Sequence, residues 1–284
     1  MLFLGYGYVA RRLAARLIAE GWSVAGTYRD PSQIDALTAG GVEPISWEGG
    51  VLSRCAFDGA TSVLISAPPG DEGCPALAAA REALFEHRAR IKWIGYLSTN
   101  GVYGDWAGGW VDEKSELRAA SQRALRRIRA ESDWAEHARL CRLPLVVFRL
   151  PGIYGPGRSA LDQVRSGSAQ RIVKEGQAFS RAHVDDIAAA LAASVNAPST
   201  GDVFNIADDE PTPPQDVIEY ACKLIGVTPP PLVPFNEAKL SDMARSFYAD
   251  NKRVSNRLMK ERLLPQLAFP TYREGLRALF NAGY

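Results

Sequence analysis

Two glycines near the start of the chain have a spacing that suits phosphate binding. Gly5 and Gly7 are followed by Ala10, in the pattern GxGxxA, between an apolar run and a helix-like stretch, YVARRLAARLIAEG. The first glycine allows a tight turn, the second lets the backbone approach a pyrophosphate, and the small third residue lets helix and strand pack closely. The start of the helix adds free N–H groups and the positive end of its dipole. The pattern predicts a dinucleotide site, with a plain tight turn as the alternative.

Arg29 stands at the end of the next predicted strand, WSVAGT. Dinucleotide-binding proteins that prefer NAD usually carry an acid at this point, where it accepts the ribose 2′-hydroxyl. A guanidinium instead suits a 2′-phosphate through paired hydrogen bonds, and it can stack on adenine. The alternative is an arginine in solvent, paired with the neighbouring Asp30. We predict NADP as the cofactor, with NAD as the second choice.

Hydroxyl side chains end another predicted strand, in YLSTNGVYGD, which runs from Tyr96 to Asp105. Open α/β sheets bind their ligands in the crevice at the carboxyl ends of the strands. Thr99 therefore has the position and the chemistry to orient a substrate oxygen.

Short apolar runs alternate with longer helical patterns over the first half of the chain. This alternation predicts an α/β fold with a doubly wound, Rossmann-type parallel sheet that helices cover on both faces. The predicted strands are LFLG, WSVAGT, PISW, SVLISA, KWIGYLST and LVVFRL, and the main predicted helices span 8–21, about 75–91 and about 116–140.

The character of the sequence changes after Leu150. A basic stretch, a further predicted strand (DVFNIA) and a proline-rich final third follow, with prolines clustered at 211–214 and 229–234. These prolines indicate rigid connections between short helices. The expected organisation is a Rossmann domain of residues 1–155 and about 179–210, and a smaller C-terminal substrate lobe of about 156–178 and 211–284.

Composition and charge narrow the range of partners. The 33 lysines and arginines balance 32 acidic residues, and a net charge of +1 gives no field that would hold nucleic acid or an anionic membrane. No apolar run is long enough to span a bilayer. The four cysteines lie far apart without a CxxC pair, so we expect reduced thiols and no metal site. A small-molecule partner and a cytoplasmic location are expected.

Five motifs, in order along the chain, resemble one known family. They are the glycine turn, STNGVYGD, FRLPGIYGPGR, RAHVDDIAAAL and FNIADDEP. Together they are similar to the extended short-chain dehydrogenase/reductase superfamily, in its NAD-dependent epimerase/dehydratase group. ARSFY followed by NKRVSN, within 244–256, resembles an atypical, YeeZ-like branch that lacks the usual YxxxK. The resemblance implies a Rossmann domain, a substrate lobe and a reacting carbon held over the nicotinamide.

The resemblance also implies where the catalytic positions fall, and two of them are changed. The family's catalytic serine or threonine matches Thr99, whereas its Tyr-x-x-x-Lys pair falls on Arg123 and Arg127, counted back from Glu131. Arginine stays charged and cannot exchange a proton as tyrosine does. Arg127 could still hold the nicotinamide ribose as the lysine does, while Arg123 could only bind or stabilise an anion. The alternative for both is a solvated basic helix face.

Two other tyrosines are candidates for moving the proton. Tyr103 lies in the VYG triplet after Thr99, where it is more readily a wall of the pocket, and Tyr154 lies in GIYGPG, which the family brings near the nicotinamide. The candidate catalytic residues are Thr99, Tyr103 and Arg127. The candidate cofactor-binding residues are Gly5, Gly7, Tyr8, Val9, Tyr28, Arg29, Ser66, Ala67, Pro68, Arg127 and Tyr154.

The function that these features indicate is that of an NAD(P)-dependent oxidoreductase or epimerase/dehydratase-like protein acting on a small oxygenated substrate of the nucleotide-sugar kind. The competing hypothesis is a catalytically inactive NADP(H)-binding sensor or scaffold, which the missing tyrosine favours. Because family members often pair through their two long helices, the chain is expected to be a monomer or a homodimer.

Other charged and aromatic stretches can be interpreted either as functional or as structural. The five cations from Arg158 to Arg181 could meet an anionic substrate or only decorate the surface. The segment 105–113, DWAGGWVDE, could close over the nicotinamide as a lid or form a buried loop tip. HVDD, from His183, is expected to cap a helix, and the acidic residues 208–210 are expected to form a solvated turn.

Overall fold

The computed structural model describes residues 1–284 as an alternation of short strands and helices. The strands are β1 (Leu2–Leu4), β2 (Ala25–Tyr28), β3 (Glu43–Ser46), β4 (Ser62–Ile65), β5 (Trp93–Thr99), β6 (Trp110–Val111), β7 (Leu145–Leu150), β8 (Gly152–Tyr154), β9 (Arg171–Val173), β10 (Arg181–His183), β11 (Val203–Asn205), β12 (Leu232–Pro234) and β13 (Arg253–Val254). The helices are α1 (Tyr8–Ala19), α2 (Ile34–Ala39), α3 (Pro75–Glu86), α4 (Gln122–Cys141), α5 (Ala160–Arg165), α6 (Val184–Asn196), α7 (Pro214–Ile225), α8 (Asp242–Ala249), α9 (Arg257–Arg262) and α10 (Tyr272–Asn281).

The chain divides into two compact units, each assembled from three stretches. The first unit comprises Met1–Thr99, Leu125–Arg149 and Ile187–Phe204, and the second comprises Asn100–Ala124, Leu150–Asp186 and Asn205–Tyr284. The division expected from the sequence differs, because residues 100–124, 150–155, 179–186 and 205–210 fall in the second unit. The physical reason is strand pairing within that unit: β6 pairs with β13, and β8 pairs with β10.

A seven-stranded sheet forms the centre of the first unit, in the order β11-β7-β5-β4-β1-β2-β3. β1 pairs in parallel with both β2 and β4, and the pairs β2–β3 and β4–β5 are parallel as well. The predicted α/β fold with a Rossmann-type sheet is confirmed. The direction of the strand order changes at β1, so the carboxyl end of β1 is the switch point where sheets of this kind bind ligands.

Apolar side chains on both faces fix the strands of this sheet. Leu2 and Leu4 of β1 belong to one buried cluster with Ile94 of β5 and Trp134 of α4. Removing a large apolar side chain from water contributes about 1.5–3 kcal/mol to folding. The strand ends that carry polar residues are therefore held by a well-packed interior.

Helix α1 follows β1 directly and fixes the geometry of the glycine turn. Its buried residues recur at the spacing of one helix face: Val9, Ala10, Leu13, Ala14 and Leu17. Ala10, the third residue of the GxGxxA pattern, has no exposed surface, which agrees with close packing of helix on strand. The helix ends at Ala19, and Gly21 takes a positive φ of 87° just beyond it.

The two long helices are shorter than the sequence predicted. α4 begins at Gln122 rather than near residue 116, because the Ser121 hydroxyl accepts a hydrogen bond from the N–H of Ala124 at 3.3 Å and so caps the helix there. α3 ends at Glu86 rather than near residue 91. None of the helices combines the length and the apolar character needed to cross a lipid bilayer.

The second unit consists of three short parallel strand pairs and small helices. β8 pairs with β10, β9 with β12 and β6 with β13. Capping boxes begin two of its helices, with Ser159 and Asp162 at α5 and Thr271 and Glu274 at α10. One of its buried clusters joins α5, α7 and α10 through residues that include Leu161, Ile218, Tyr272 and Leu276.

Candidate functional site

The turn after β1 is fixed by contacts that only glycine at residue 5 permits. Gly5 has a φ of +91°, and a Cβ placed there would lie 2.8 Å from the backbone nitrogen of Ala67. The N–H of Gly5 donates to the Thr27 hydroxyl at 2.8 Å. The turn therefore joins the carboxyl ends of β1, β2 and β4 at the switch point of the sheet.

Gly7 lies in the same turn, but the backbone geometry does not require glycine at this position. Its φ is −89°, a value that any residue adopts, and a Cβ there would meet only the Ser66 hydroxyl, at 3.6 Å. Gly7 is exposed and no side chain caps the N-terminus of α1, whose first turn also has no acidic residue. A glycine that the fold does not need, at an uncapped helix N-terminus, fits the close approach of a diphosphate.

The segment after β4 completes this part of the site. The backbone N–H groups of Ser66 and Ala67 donate to the Leu4 carbonyl at 2.9 and 3.0 Å. The structure thus brings the expected cofactor-binding residues of three strand ends together, within the first unit. Their binding to a cofactor stays a prediction.

Arg29 extends beyond β2 and is exposed. Its guanidinium lies over the Trp47 ring, with 5.8 Å between the guanidinium carbon and the ring centroid. Asp30, the partner considered from the sequence, instead accepts a hydrogen bond from the N–H of Ser32 at 2.9 Å and caps the turn at Pro31–Gln33. The chain therefore leaves the hydrogen-bonding edge of Arg29 without a carboxylate partner.

Thr99 ends β5 next to a buried charge network. The Ser98 hydroxyl donates to Glu131 of α4, and Arg149 of β7 donates to the same carboxylate, with 2.8 Å between Nη2 and Oε2. Glu131 and Arg149 are both buried. This network fixes α4 against the ends of β5 and β7.

Arg127 lies one turn before Glu131 and is held against the end of β5. Its Nη1 donates to the Leu97 carbonyl at 2.6 Å and lies 3.3 Å from the Tyr96 hydroxyl. The alternative of a solvated basic face does not hold for Arg127. Burial raises the pKa of Tyr96 to about 12, although the Arg127 charge opposes the shift, and Tyr96 has no exposed surface. Tyr96 is therefore a support for Arg127 rather than an acid within reach of a substrate.

Arg123, on the family's tyrosine position, belongs to the second unit. Its guanidinium lies over the Phe247 ring of α8, 5.0 Å from the centroid. Phe247 is one of the two aromatic residues of the ARSFY motif, so the structure gives this motif a role in covering the replaced position. The neighbouring Arg126, in the first unit, pairs with Asp71.

The hydroxyl groups of the two candidate tyrosines are enclosed within the second unit. Tyr103 donates to the Asn205 side chain at 2.8 Å and has no exposed surface. The Tyr154 hydroxyl lies 3.4 Å from the Thr271 carbonyl, and a Cβ at Gly275 would overlap it. Burial, with the nearby acid Asp208, raises the pKa of Tyr154 well above its usual value. These surroundings oppose the role of either tyrosine as proton donor.

The chain does contain one Tyr-x-x-x-Lys spacing, from Tyr248 to Lys252, outside α4. This spacing was not among the predicted site residues. The two side chains have different surroundings: the Tyr248 ring stacks on Phe235 at 5.1 Å, whereas the Lys252 ammonium donates to the Gly104 carbonyl at 2.8 Å. Burial lowers the pKa of Lys252, and the nearby Asp250 opposes this shift. Each residue acts as a structural support rather than as one half of a catalytic pair.

The segment expected to be a lid is fastened along its length. The Asn251 carbonyl accepts hydrogen bonds from the N–H groups of Trp106 and Gly108 at 3.0 and 2.9 Å, and the N–H of Asn251 donates to Asp105 at 2.8 Å. β6 then pairs with β13. NKRVSN therefore holds the 105–113 segment in place, and its closure over the nicotinamide as a lid stays a prediction.

Three cations of the basic stretch make contacts within the second unit. Arg171 pairs with Glu219, and the Lys174 ammonium donates to the Tyr248 carbonyl. Arg181 donates to the carbonyls of Phe179 and Thr212 at 2.9 and 3.0 Å. Three of the five cations are thus engaged within the unit, whereas Arg158 and Arg165 are exposed, and an anionic substrate at this stretch stays a prediction.

The acidic residues around 208 do not all form a solvated turn. Asp208 is 3% exposed, and burial raises the pKa of its carboxyl to about 8 despite the opposing Arg181 charge. The N–H of Asp208 donates to the Arg181 carbonyl at 2.7 Å, which draws the residue inward. Asp186 of HVDD accepts from the N–H groups of Ala268 and Phe269 and so has a structural role. No group of three or more His, Cys, Asp and Glu side chains is placed to hold a metal ion.

The sheet, the switch-point turn and the end of β5 define a class of fold that solved nucleotide-sugar dehydratases and epimerases share. dTDP-glucose 4,6-dehydratase from Bacillus anthracis, in complex with NAD, has a TM-score of 0.76 at 15% identity, over 99% of this chain and 94% of that one. UDP-glucuronic acid 4-epimerase from Bacillus cereus, in complex with UDP-glucuronic acid and NAD, has a TM-score of 0.76 at 17% identity, over 100% of both chains.

Two relatives are more similar in sequence. A functionally unknown conserved protein from Silicibacter pomeroyi DSS is 48% identical, with a TM-score of 0.93 over 99% of this chain and 98% of that one, so the chain belongs to the same family as that protein. Protein YeeZ of Escherichia coli (strain K12) is 26% identical over 269 residues, which are 90% of this chain and 92% of YeeZ. No protein-family model matches the chain. The predicted resemblance to the extended superfamily and to YeeZ is confirmed.

Proposed function

We propose that the protein binds NADP(H) at the turn after β1 and acts as an oxidoreductase or epimerase-like enzyme on a small oxygenated substrate. The observation that carries the proposal is that the chain has both an uncapped N-terminus of α1 and an exposed Arg29 at the end of the neighbouring strand. Gly7 leaves room for a diphosphate there, and the Arg29 guanidinium has no carboxylate partner. The solved structures with this fold in complex with NAD support a nicotinamide dinucleotide in general.

The chain's own residues would then provide orientation and positive charge. The bound nicotinamide would supply or accept the hydride. Arg127, held by the Leu97 carbonyl, would donate hydrogen bonds to the nicotinamide ribose, and Thr99 would orient a substrate oxygen. A guanidinium stays protonated, so Arg127 stabilises negative charge without moving a proton.

The substrate class follows from the fold relatives and is the finer part of the proposal. The dehydratase and the epimerase above act on sugars linked to a nucleotide, as their names state. We assign a substrate of this kind, with a carbonyl or hydroxyl carbon that can exchange a hydride. A cytoplasmic location accompanies the proposal, since NADP(H) and nucleotide sugars are cytoplasmic metabolites.

Thr99→Ala tests the enzymatic role. We expect loss of hydride transfer, followed by nicotinamide absorbance over a panel of nucleotide sugars and small carbonyl compounds, with nearly unchanged NADPH affinity. Thr38→Ala, an exposed position on α2, is the matched control and should leave both unchanged. Turnover that persists in Thr99→Ala would contradict the role of Thr99.

A second candidate function is an NADP(H) sensor without turnover. The enclosed hydroxyl groups of Tyr103 and Tyr154, together with arginines on the family's tyrosine and lysine positions, favour it. Tight NADPH binding with no turnover by the wild-type protein, over the same panel, would select the sensor.

A homodimer is the oligomeric state that the surface favours. α3 and α4 both present exposed apolar residues, Phe85 and Leu140, beside a cavity of about 430 Å³ that Cys141 also lines. Burying such a face between two copies would remove apolar surface from water.

A further inference from the structure

Trp47 is fixed rigidly at the edge of the proposed cofactor site. It directly follows β3 and is 5% exposed. Its backbone N–H donates to the Tyr28 carbonyl at 2.8 Å, and its indole N–H donates to the Gly50 carbonyl at 3.3 Å. Backbone and ring are therefore both held before any ligand binds.

One face of this ring supports the Arg29 guanidinium. A guanidinium within about 6 Å of an aromatic centroid is attracted by the ring's negative face. The observed separation is 5.8 Å. Stacking uses the face of the guanidinium and leaves its N–H edge available for a bidentate contact with a phosphate. An unsupported arginine would instead lose side-chain freedom when it bound.

The strand that carries Arg29 is also fixed to the phosphate turn. Thr27, two residues earlier, accepts the hydrogen bond from the N–H of Gly5 at 2.8 Å. β2 and β3 are in register from Ala25–Glu43 to Tyr28–Ser46, which places residues 29 and 47 side by side just beyond the paired ends. The turn, Arg29 and Trp47 thus form one rigid frame around the adenosine end of the proposed cofactor.

We propose that Trp47 is a specificity-determining residue, which orients Arg29 to recognise the 2′-phosphate of NADP(H) and so sets the preference over NAD(H). The proposal rests on the proposed NADP(H) function. It assigns Trp47 an effect on one of the two nucleotides only, which a purely structural core residue would not have.

The test compares Trp47→Leu, Trp47→Phe and Arg29→Ala by titration calorimetry with NADPH and with NADH. Arg29→Ala should weaken NADPH binding about tenfold or more, as expected for lost charged hydrogen bonds, and leave NADH binding unchanged. Trp47→Leu should weaken NADPH binding about two- to fivefold, again without an effect on NADH. Trp47→Phe keeps an aromatic face under Arg29, so it should lose less NADPH affinity than Trp47→Leu. In protein that already carries Arg29→Ala, Trp47→Leu should cause no further loss of NADPH affinity.

Phe85→Leu is the matched control. Phe85 of α3 lies under the guanidinium of Arg88, just beyond the helix end, with 4.2 Å from the guanidinium carbon to the ring centroid, so the variant removes a contact of the same kind elsewhere. It should leave both affinities unchanged.

Three outcomes would overturn the inference. They are equal losses for NADPH and NADH in Trp47→Leu and Trp47→Phe, a Trp47→Leu effect that persists without Arg29, and wild-type binding of NADH as tight as NADPH. In the first two cases the proposed NADP(H) function stands. Binding of neither nucleotide by the wild-type protein would instead refute the proposed function itself.

Discussion

Replacing Gly5 and Gly7 by alanine, one at a time, separates the effect of the turn on stability from its effect on nucleotide binding. At Gly5 the new Cβ would lie 2.8 Å from the Ala67 backbone nitrogen, at a φ of +91°. At Gly7 the φ is −89° and the nearest atom is the Ser66 hydroxyl oxygen, at 3.6 Å. We expect Gly5→Ala to lower stability and Gly7→Ala to lower nucleotide affinity.

The magnitudes follow from these two geometries. A non-glycine residue in a sparsely populated backbone region costs about 1–3 kcal/mol, and overpacking costs a similar amount, so Gly5→Ala should lose about 2–6 kcal/mol of unfolding free energy. Alanine fits the backbone at Gly7 and reduces the entropy of the unfolded chain, which adds about 0.4–1 kcal/mol of stability. Its methyl group would nevertheless stand where the diphosphate approaches, and we expect at least about a tenfold loss of NADPH affinity, or about 1.4 kcal/mol.

Urea denaturation and NADPH titration of the two variants measure these effects. Stable Gly7→Ala protein that binds NADPH as the wild type does would refute the placement of the diphosphate at this turn. A Gly5→Ala variant as stable as the wild type would refute the turn geometry.

Three further predictions concern buried charge and assembly. Glu131→Gln should lower the unfolding free energy in urea by about 3–5 kcal/mol, because Arg149 would keep a buried charge without its partner, and a loss below about 1 kcal/mol would contradict this. Burial raises the pKa of Asp208 from 3.8 to about 8, so the folded protein holds a proton that the unfolded chain releases, and stability should fall as the pH rises from about 4 to 8. Asp208→Asn should flatten the pH–stability curve between about pH 4 and 8. An unchanged slope would mean that other groups cause the pH dependence. Leu140→Glu should convert a homodimer to monomer in light scattering, and a wild-type protein that is already a monomer would refute pairing through this face.

The central sheet and the glycine turn could be predicted because their signals are local. Each strand is a short apolar run, and Gly5, Gly7 and Ala10 lie within six residues of one another. Family resemblance then located Thr99 and Arg127. The structure adds the partners that hold Arg127, the Leu97 carbonyl and the Tyr96 hydroxyl, 30 and 31 residues away in the chain.

The missed features depend on contacts between distant parts of the sequence. Lys252 reaches the Gly104 carbonyl across 148 residues, and no local pattern indicates that this contact fastens the 105–113 segment. Trp47 became significant only when the register of β2 and β3 placed it beside Arg29. Asp208 stands among charged residues that look solvated, yet its backbone bond to Arg181 draws it into the interior.

Titration calorimetry of the wild-type protein with NADPH and with NADH measures the cofactor preference directly. We predict saturable binding of one NADPH per chain, at least about tenfold tighter than NADH because Arg29 adds charged hydrogen bonds to the 2′-phosphate. Equal affinities would contradict the role of Arg29, and no heat from either nucleotide would contradict the dinucleotide site at the turn after β1.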